Sequence, residues 1–230
     1  MGARHPGETG RGKVTGRNSA SREAVRIRAH ARRGVWRRVL SWLGWNPAAR
    51  RADAVAARWD LGAAAEATTA GMLEALHRQG WHVRHDRALP GSRANLDHVL
   101  ISPCGTAVVV LDTKRWHASA QKPTWLVRGR VCCGTDDRHG QVEAVARYAA
   151  RVQTALGMPG VVVWPLLVVH GSPVAGGELR ASVAGWDGPV FVLSPGRLVP
   201  RLAAAPRGVR DLGRAAVVAR RVDEVLRPYR

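Results

Sequence analysis

The chain has 230 residues, 46% of them hydrophobic, and carries 36 basic against 17 acidic residues for a formal net charge of +19. That length suits one domain with a real buried core plus an appendage, and the charge favours a polyanionic partner, nucleic acid or an anionic membrane surface. No apolar run reaches the 18 or so residues that a spanning helix needs, so no transmembrane segment is expected.

Taken in order, residues 1–20 are rich in Gly, Arg and Ser and poor in large apolar side chains, which predicts a disordered basic tail. Between residues 21 and 45, Val35, Trp36, Val39, Leu40, Trp42 and Leu43 recur at helical spacing among arginines, the pattern of a basic amphipathic helix. Gly44 and Pro47 are read as its stop. Through Arg58 there are 14 basic and 3 acidic residues, so residues 21–58 form a basic extension and residues 59–230 the globular domain, with its core motifs in 62–170.

The globular part opens with an alanine-rich helix over residues 63–78, bounded by Gly80. A strand follows over 81–86, with Trp81, Val83 and His85 on one side. Residues 95–102 and 106–114 read as two strands joined by the tight connection Pro103-Cys104-Gly105, hence a hairpin. The run Ala107-Val108-Val109-Val110-Leu111 lacks alternation, so that strand should be covered on both faces. Residues 115–138 read as an excursion with a small hairpin through Trp125-Leu126-Val127 and Val131-Cys132. A helix at 141–156 closed by Gly157, strands at 161–169 and 190–193, and a last helix at 211–226 capped by Asp211 complete the series. The order predicts an α/β fold with a mixed sheet.

Polar residues interrupt the apolar strands at two places. Asp97 stands at the start of one strand, while Asp112 and Lys114 stand two apart at the end of the next. Residues i and i+2 of a strand share a face, and in an antiparallel hairpin the start of one strand lies beside the end of the other. Two carboxylates and an ammonium therefore converge at one end of the sheet. Carboxylates held together repel, and a divalent cation relieves that repulsion. A lysine beside such a metal can orient water or stabilise charge developing on phosphorus. Lys114 is one of only three lysines, the other 33 basic residues being Arg, so a compact ammonium is singled out there. Thr113 would offer its backbone carbonyl, since its side chain points to the opposite face. An ordinary ion pair between Asp112 and Lys114 is the plain alternative.

Residues 62–117 resemble the NERD (nuclease-related) domain of the PD-(D/E)xK nuclease superfamily. The stretches that carry the resemblance are Gly62-Ala63-Ala64-Ala65-Glu66, Asn95-Leu96-Asp97-His98-Val99-Leu100 and Val110-Leu111-Asp112-Thr113-Lys114-Arg115-Trp116, followed by His139-Gly140-Gln141 at a later helix start. Two positions depart from it: Ala65 and Ala118 stand where the family often has Gly. The resemblance implies a restriction-endonuclease-like αβββαβ core with a mixed central sheet flanked by helices. It implies Glu66, Asp97, Asp112, Lys114 and Gln141 as the catalytic set. Mg²⁺ or Mn²⁺ would be held by Asp97, Asp112 and the Thr113 carbonyl. Arg115, Trp116 and His117, just past the site, are placed to touch a phosphate backbone or stack on a base, and for Trp116 a packing anchor is an equal reading.

The function expected is metal-dependent hydrolysis of phosphodiester bonds in nucleic acid, DNA being favoured, with a catalytically silent nucleic-acid-binding module as the alternative. The segment 21–45 leaves three readings open: nucleic-acid binding, peripheral contact with an anionic membrane, or packing on the globular domain. His98 adjoins Asp97 but faces the other way, which suggests packing rather than ligation. Three cysteines without a secretory signal suggest a reducing, cytoplasmic setting. A zinc site at Cys132, Cys133 and His139 is conceivable, though adjacent cysteines chelate awkwardly. The sequence does not specify an oligomeric state.

Overall fold

The computed structural model describes residues 47–116, 122–205 and 208–229. The expected tail (1–20), the amphipathic helix (21–45) and His117 lie outside the described residues. The chain divides into two units, residues 1–59 and 60–230. In the first, the described residues 47–59 are helical.

Helix α1 runs Pro47–His77, much longer than the expected 63–78. Pro47 begins this helix, because a proline's missing N–H costs nothing in the first turn; the segment it was read as ending lies outside the described residues. The helix ends where Gly80 takes φ +83° and the Trp81 N–H closes on the Leu76 carbonyl, a glycine-based terminus. Strands β1 (His82–Ala88), β2 (Asn95–Ile101) and β3 (Ala107–Arg115) follow as an antiparallel meander. A small sheet of β4 (Thr124–Val127), β5 (Arg130–Cys133) and β6 (Asp136–Asp137) is inserted next. Its β4–β5 hairpin pairs Trp125 with Cys132, as expected, and turns through Arg128 and Gly129, both at positive φ, the two-residue geometry that matches strand twist.

Helix α2 (His139–Leu156) ends on a left-handed Gly157 and leads into β7 (Val162–His170), parallel to β3. Strands β8 (Glu178–Ala181) and β9 (Val190–Leu193) and helices α3 (Pro195–Ala203) and α4 (Leu212–Val225) complete the fold. Asp211 caps α4 by accepting the Arg214 N–H. The main sheet has the order β1-β2-β3-β7-β9-β8. It is mixed: β3, β7 and β9 are parallel and the remaining pairs antiparallel.

Both faces of the sheet are covered. On one, Val99, Ile101, Val108, Val110 and Val169 pack with Val142 and Val145 of α2 and Val218 of α4. On the other, Leu100, Val109, Leu111 and Val168 pack with Leu73 and Leu76 of α1 and Leu198 of α3. Strand β3 is therefore apolar throughout its middle, as the unbroken sequence run requires.

Candidate active site

The hairpin sets the geometry. Gly105 takes φ +63° in the β2–β3 connection, and the ladder runs from Ile101–Val108 to His98–Leu111. One register step further brings Asp97 level with Asp112. Past the last pair, Asp97 Oδ2 accepts the Thr113 backbone N–H at 2.7 Å, so the carboxylate replaces a ladder partner at the strand end. Lys114 Nζ lies 2.5 Å from Asp112 Oδ2. The helix side is anchored by Thr69, whose buried hydroxyl lies 2.8 Å from His170 Nε2 at the end of β7. Thr69 is one turn beyond Glu66, so this contact holds the glutamate-bearing turn over the strand ends. Glu66 itself lies in the interior of α1 rather than near its start.

The charges at this end of the sheet are strained against one another. Burial, with the Asp86 and Asp112 carboxylates nearby, raises the pKa of Glu66 to about 7, although Lys114 pulls the other way. Burial and the neighbouring Asp112 also push Asp97 well above the usual carboxylate range. Burial alone would lower the Lys114 pKa, but Asp112 and Asp97 hold its ammonium above the ordinary value. Three acidic side chains, Asp97, Asp112 and Glu66, thus act on one ammonium in a place where water screens poorly.

Asp86 was not visible in the sequence. It sits between the β1–β2 pairs His85–His98 and Arg87–Leu96, in one row with Asp97 and Asp112. Its φ is +50°, a left-handed conformation that aspartate tolerates, and its carboxylate accepts from Asn95 Nδ2 at 2.9 Å. A β1–β2 hairpin register drawn across residues 89–94 was the one signal that could have found it.

The remaining candidates divide. Gln141 opens α2 near the site, but its Oε1 accepts the Trp116 indole N–H at 2.8 Å. Trp116 is only 3% exposed, which favours the packing-anchor reading over stacking on a base, and its indole N–H orients Gln141. Arg115 is exposed at the end of β3. Thr113 is buried, and its hydroxyl has no hydrogen-bond partner among the described residues. His98 is buried, its Nδ1 2.7 Å from Nδ1 of His85, and burial pushes its pKa down to about 3, so it packs as a neutral ring. Cys132, Cys133 and His139 form no metal site: among the described residues no three His, Cys, Asp or Glu side chains are gathered to hold an ion.

A sheet-end cluster of this kind, reached from α1, β2 and β3, is the part of the molecule that comparison with protein families covers. Residues 61–170 match the model of NERD, the nuclease-related domain. That stretch is similar to NERD. The match runs from the middle of α1 to the last residue of β7 and so takes in the αβββαβ core, consistent with the PD-(D/E)xK-like nuclease superfamily. No curated protein and no solved structure matches the chain. The NERD match suggests a nuclease-related function. Among the described residues no helix is long and apolar enough to cross a membrane.

Proposed function

We propose that this NERD domain is a divalent-metal-dependent nuclease that hydrolyses phosphodiester bonds of nucleic acid, with DNA the favoured substrate. The observation that carries the reading is the alignment of Asp97 with Asp112 on adjacent strands, with Lys114 against Asp112 and Glu66 raised to about 7 beside them. The residues fit a hard cation. Asp97 Oδ1 and Asp112 Oδ1 have no hydrogen-bond partner among the described residues, and Glu66 and Asp97 are shifted upward by burial first and by neighbouring carboxylates second, a disfavoured negative charge that a cation would offset. Mg²⁺ needs only one or two protein carboxylates, the rest of its shell being water and phosphate oxygens, so the lack of a three-residue cage does not count against it.

Asp97, Asp112 and the Thr113 carbonyl would hold the ion, which when bound supplies Lewis-acid polarisation of the phosphate and a more acidic water. Lys114 keeps its proton, held by Asp112 and Asp97, and so presents a fixed positive charge where negative charge develops on the phosphate. Glu66, with its pKa near neutrality, can accept a proton from water at its carboxylate oxygen. The Trp116–Gln141 hydrogen bond fixes the first turn of α2 beside them, and Arg115 lies exposed for a phosphate contact.

A second reading, a catalytically silent nucleic-acid-binding module, draws on the Lys114–Asp112 ion pair, which occupies one oxygen that a metal could use. Cleavage assays separate the two. Wild type, Asp112→Ala and Lys114→Ala are incubated with labelled single- and double-stranded DNA and RNA in Mg²⁺ or Mn²⁺, with EDTA as control. The nuclease reading expects metal-dependent products that fall at least about 100-fold in both variants. Folded wild type that binds nucleic acid in a salt-sensitive way yet leaves every substrate intact would establish the silent module instead.

A further inference from the structure

The far half of the sheet bears a surface that the cleavage chemistry does not use. Trp164 of β7 and Phe191 of β9 lie with ring centroids 6.3 Å apart, on the face shared with α1 and α3. Trp164 is 38% exposed and its neighbour Val162 is 51% exposed, a large aromatic and a valine open to solvent. Arg201 of α3 stands 4.5 Å from the Phe191 ring centroid and Arg180 of β8 stands 5.7 Å away. Glu178 holds both guanidiniums, at 3.2 Å and 3.4 Å. Next to them a cavity of about 530 Å³ is lined by Glu178, Arg180, Arg197, Pro200, Arg201 and Ala204. Three guanidiniums against one carboxylate leave it cationic. Arg197 has no ion-pair partner among the described residues, and its side chain lies over Gly177, where a Cβ would come within 2.8 Å of Arg197 Cγ.

Each part narrows the ligand. An arginine cluster alone would take any anion, and an exposed indole alone would take any flat apolar group. Together they match a base with its phosphates: the base stacks on the aromatic face while guanidiniums track the backbone. A duplex keeps its base faces inside the stack and has nothing to offer Trp164. We propose that Trp164, Phe191, Arg180, Arg197 and Arg201 form a binding surface for a single-stranded nucleic-acid segment, separate from the Asp97–Asp112 cluster. It rests on the reading of this chain as a nucleic-acid protein, but not on cleavage. Trp164 is paired with Val109, five residues before Lys114 and on the opposite face of the sheet. At about 3.3 Å per residue that is roughly 16 Å along the strand, so the surface holds substrate rather than reacting with it.

The test is binding without cleavage: fluorescence anisotropy of the full chain in EDTA with a labelled oligothymidylate and with a duplex of equal length. Trp164→Ala should weaken single-strand binding about tenfold, the loss of one stacked base, and change duplex binding less than about twofold. Trp164→Phe should restore much of the difference. Arg197→Ala with Arg201→Ala should reduce the salt dependence of single-strand affinity by about 1.4, two phosphates at about 0.7 each. Equal single-strand affinity for wild type, Trp164→Ala and Trp164→Phe overturns the inference, as do equal losses for single strand and duplex. Those results leave the nuclease reading standing if the chain still cleaves, and a chain that cleaves nothing can still pass this test.

Discussion

Glu66 is where the electrostatics of the molecule is most exposed to experiment. Its pKa of about 7 against an ordinary 4.5 means that the folded protein prefers it protonated. The unfolded chain releases that proton near 4.5, so folding carries no penalty below that pH. The penalty grows between 4.5 and 7 and is full above 7, at up to about 3 kcal/mol. Glu66→Gln should therefore leave the melting temperature nearly unchanged at pH 4.5 and raise it by several degrees at pH 8, as read by differential scanning calorimetry in EDTA. If the variant is no more stable than wild type at pH 8, burial and the neighbouring carboxylates do not disfavour the Glu66 charge. Adding Mg²⁺ to wild type at pH 8 should recover part of the same stabilisation, because a cation bound only by the folded state stabilises it by mass action. The Mg²⁺ effect should shrink as the pH falls through 7, where Glu66 takes up its proton and its share of the repulsion that the ion relieves is lost.

At the level of elements, the site depends on how the end of β3 is pressed against the end of β7. Gly171 takes φ +80°, and a Cβ there would stand 2.5 Å from the Trp116 carbonyl oxygen; the Trp116 N–H meanwhile bonds the His170 carbonyl at 3.0 Å. Gly171→Ala should cost the backbone strain of a non-glycine residue at positive φ, about 1–3 kcal/mol, and in addition force Trp116 and its partner Gln141 outward. Gly185→Ala is the control, with φ +76° but nothing within 4 Å. Urea titration should show a clearly larger loss for Gly171→Ala than for Gly185→Ala, and only the former should impair cleavage. Equal losses would mean that the close approach to Trp116 matters little. The same region shows which parts of the fold are written locally. The unbroken apolar run of β3, the i,i+2 spacing of Asp112 and Lys114 and the short turn at 103–105 were enough to bring Asp97 level with Asp112, since each rests on residues close in sequence. The sequence left packing and base stacking both open for Trp116, because its burial arises from α2 and β7, which come later in the chain. Strand β8 and helix α3 were missed for a different reason: α3 is nine residues long, begins at Pro195 and contains Pro200, a residue that argues against a helix interior, and β8 is a four-residue edge too short to establish a period.

For the whole molecule, the open question is what the excess charge is for. Residues 1–46 contain 11 basic and 2 acidic residues, a net of +9, nearly half of the +19 carried by the entire chain. Residues 59–230 contribute +8, and the described part of that charge includes the Arg180, Arg197 and Arg201 cluster. Two partners fit a basic N-terminal segment, and they separate by salt and by surface. If the segment contacts nucleic acid, each phosphate it neutralises adds about 0.7–0.9 to the slope of log affinity against log salt. A chain beginning at Pro47, which keeps α1 whole, should then bind DNA with a slope shallower by several units and with lower affinity at low salt, while its metal-dependent cleavage at saturating DNA stays close to wild type. If the segment instead lies on anionic lipid, at about 1 kcal/mol per basic residue near the surface, the slope should be the same for both chains. In that case the full chain, but not the shortened one, should float with phosphatidylserine vesicles. The first pattern makes the molecule a nuclease domain with an electrostatic arm for the polymer that it cuts. The second makes it a NERD-like domain tethered at a membrane surface, with its arginine and tryptophan surface left to hold the substrate by itself.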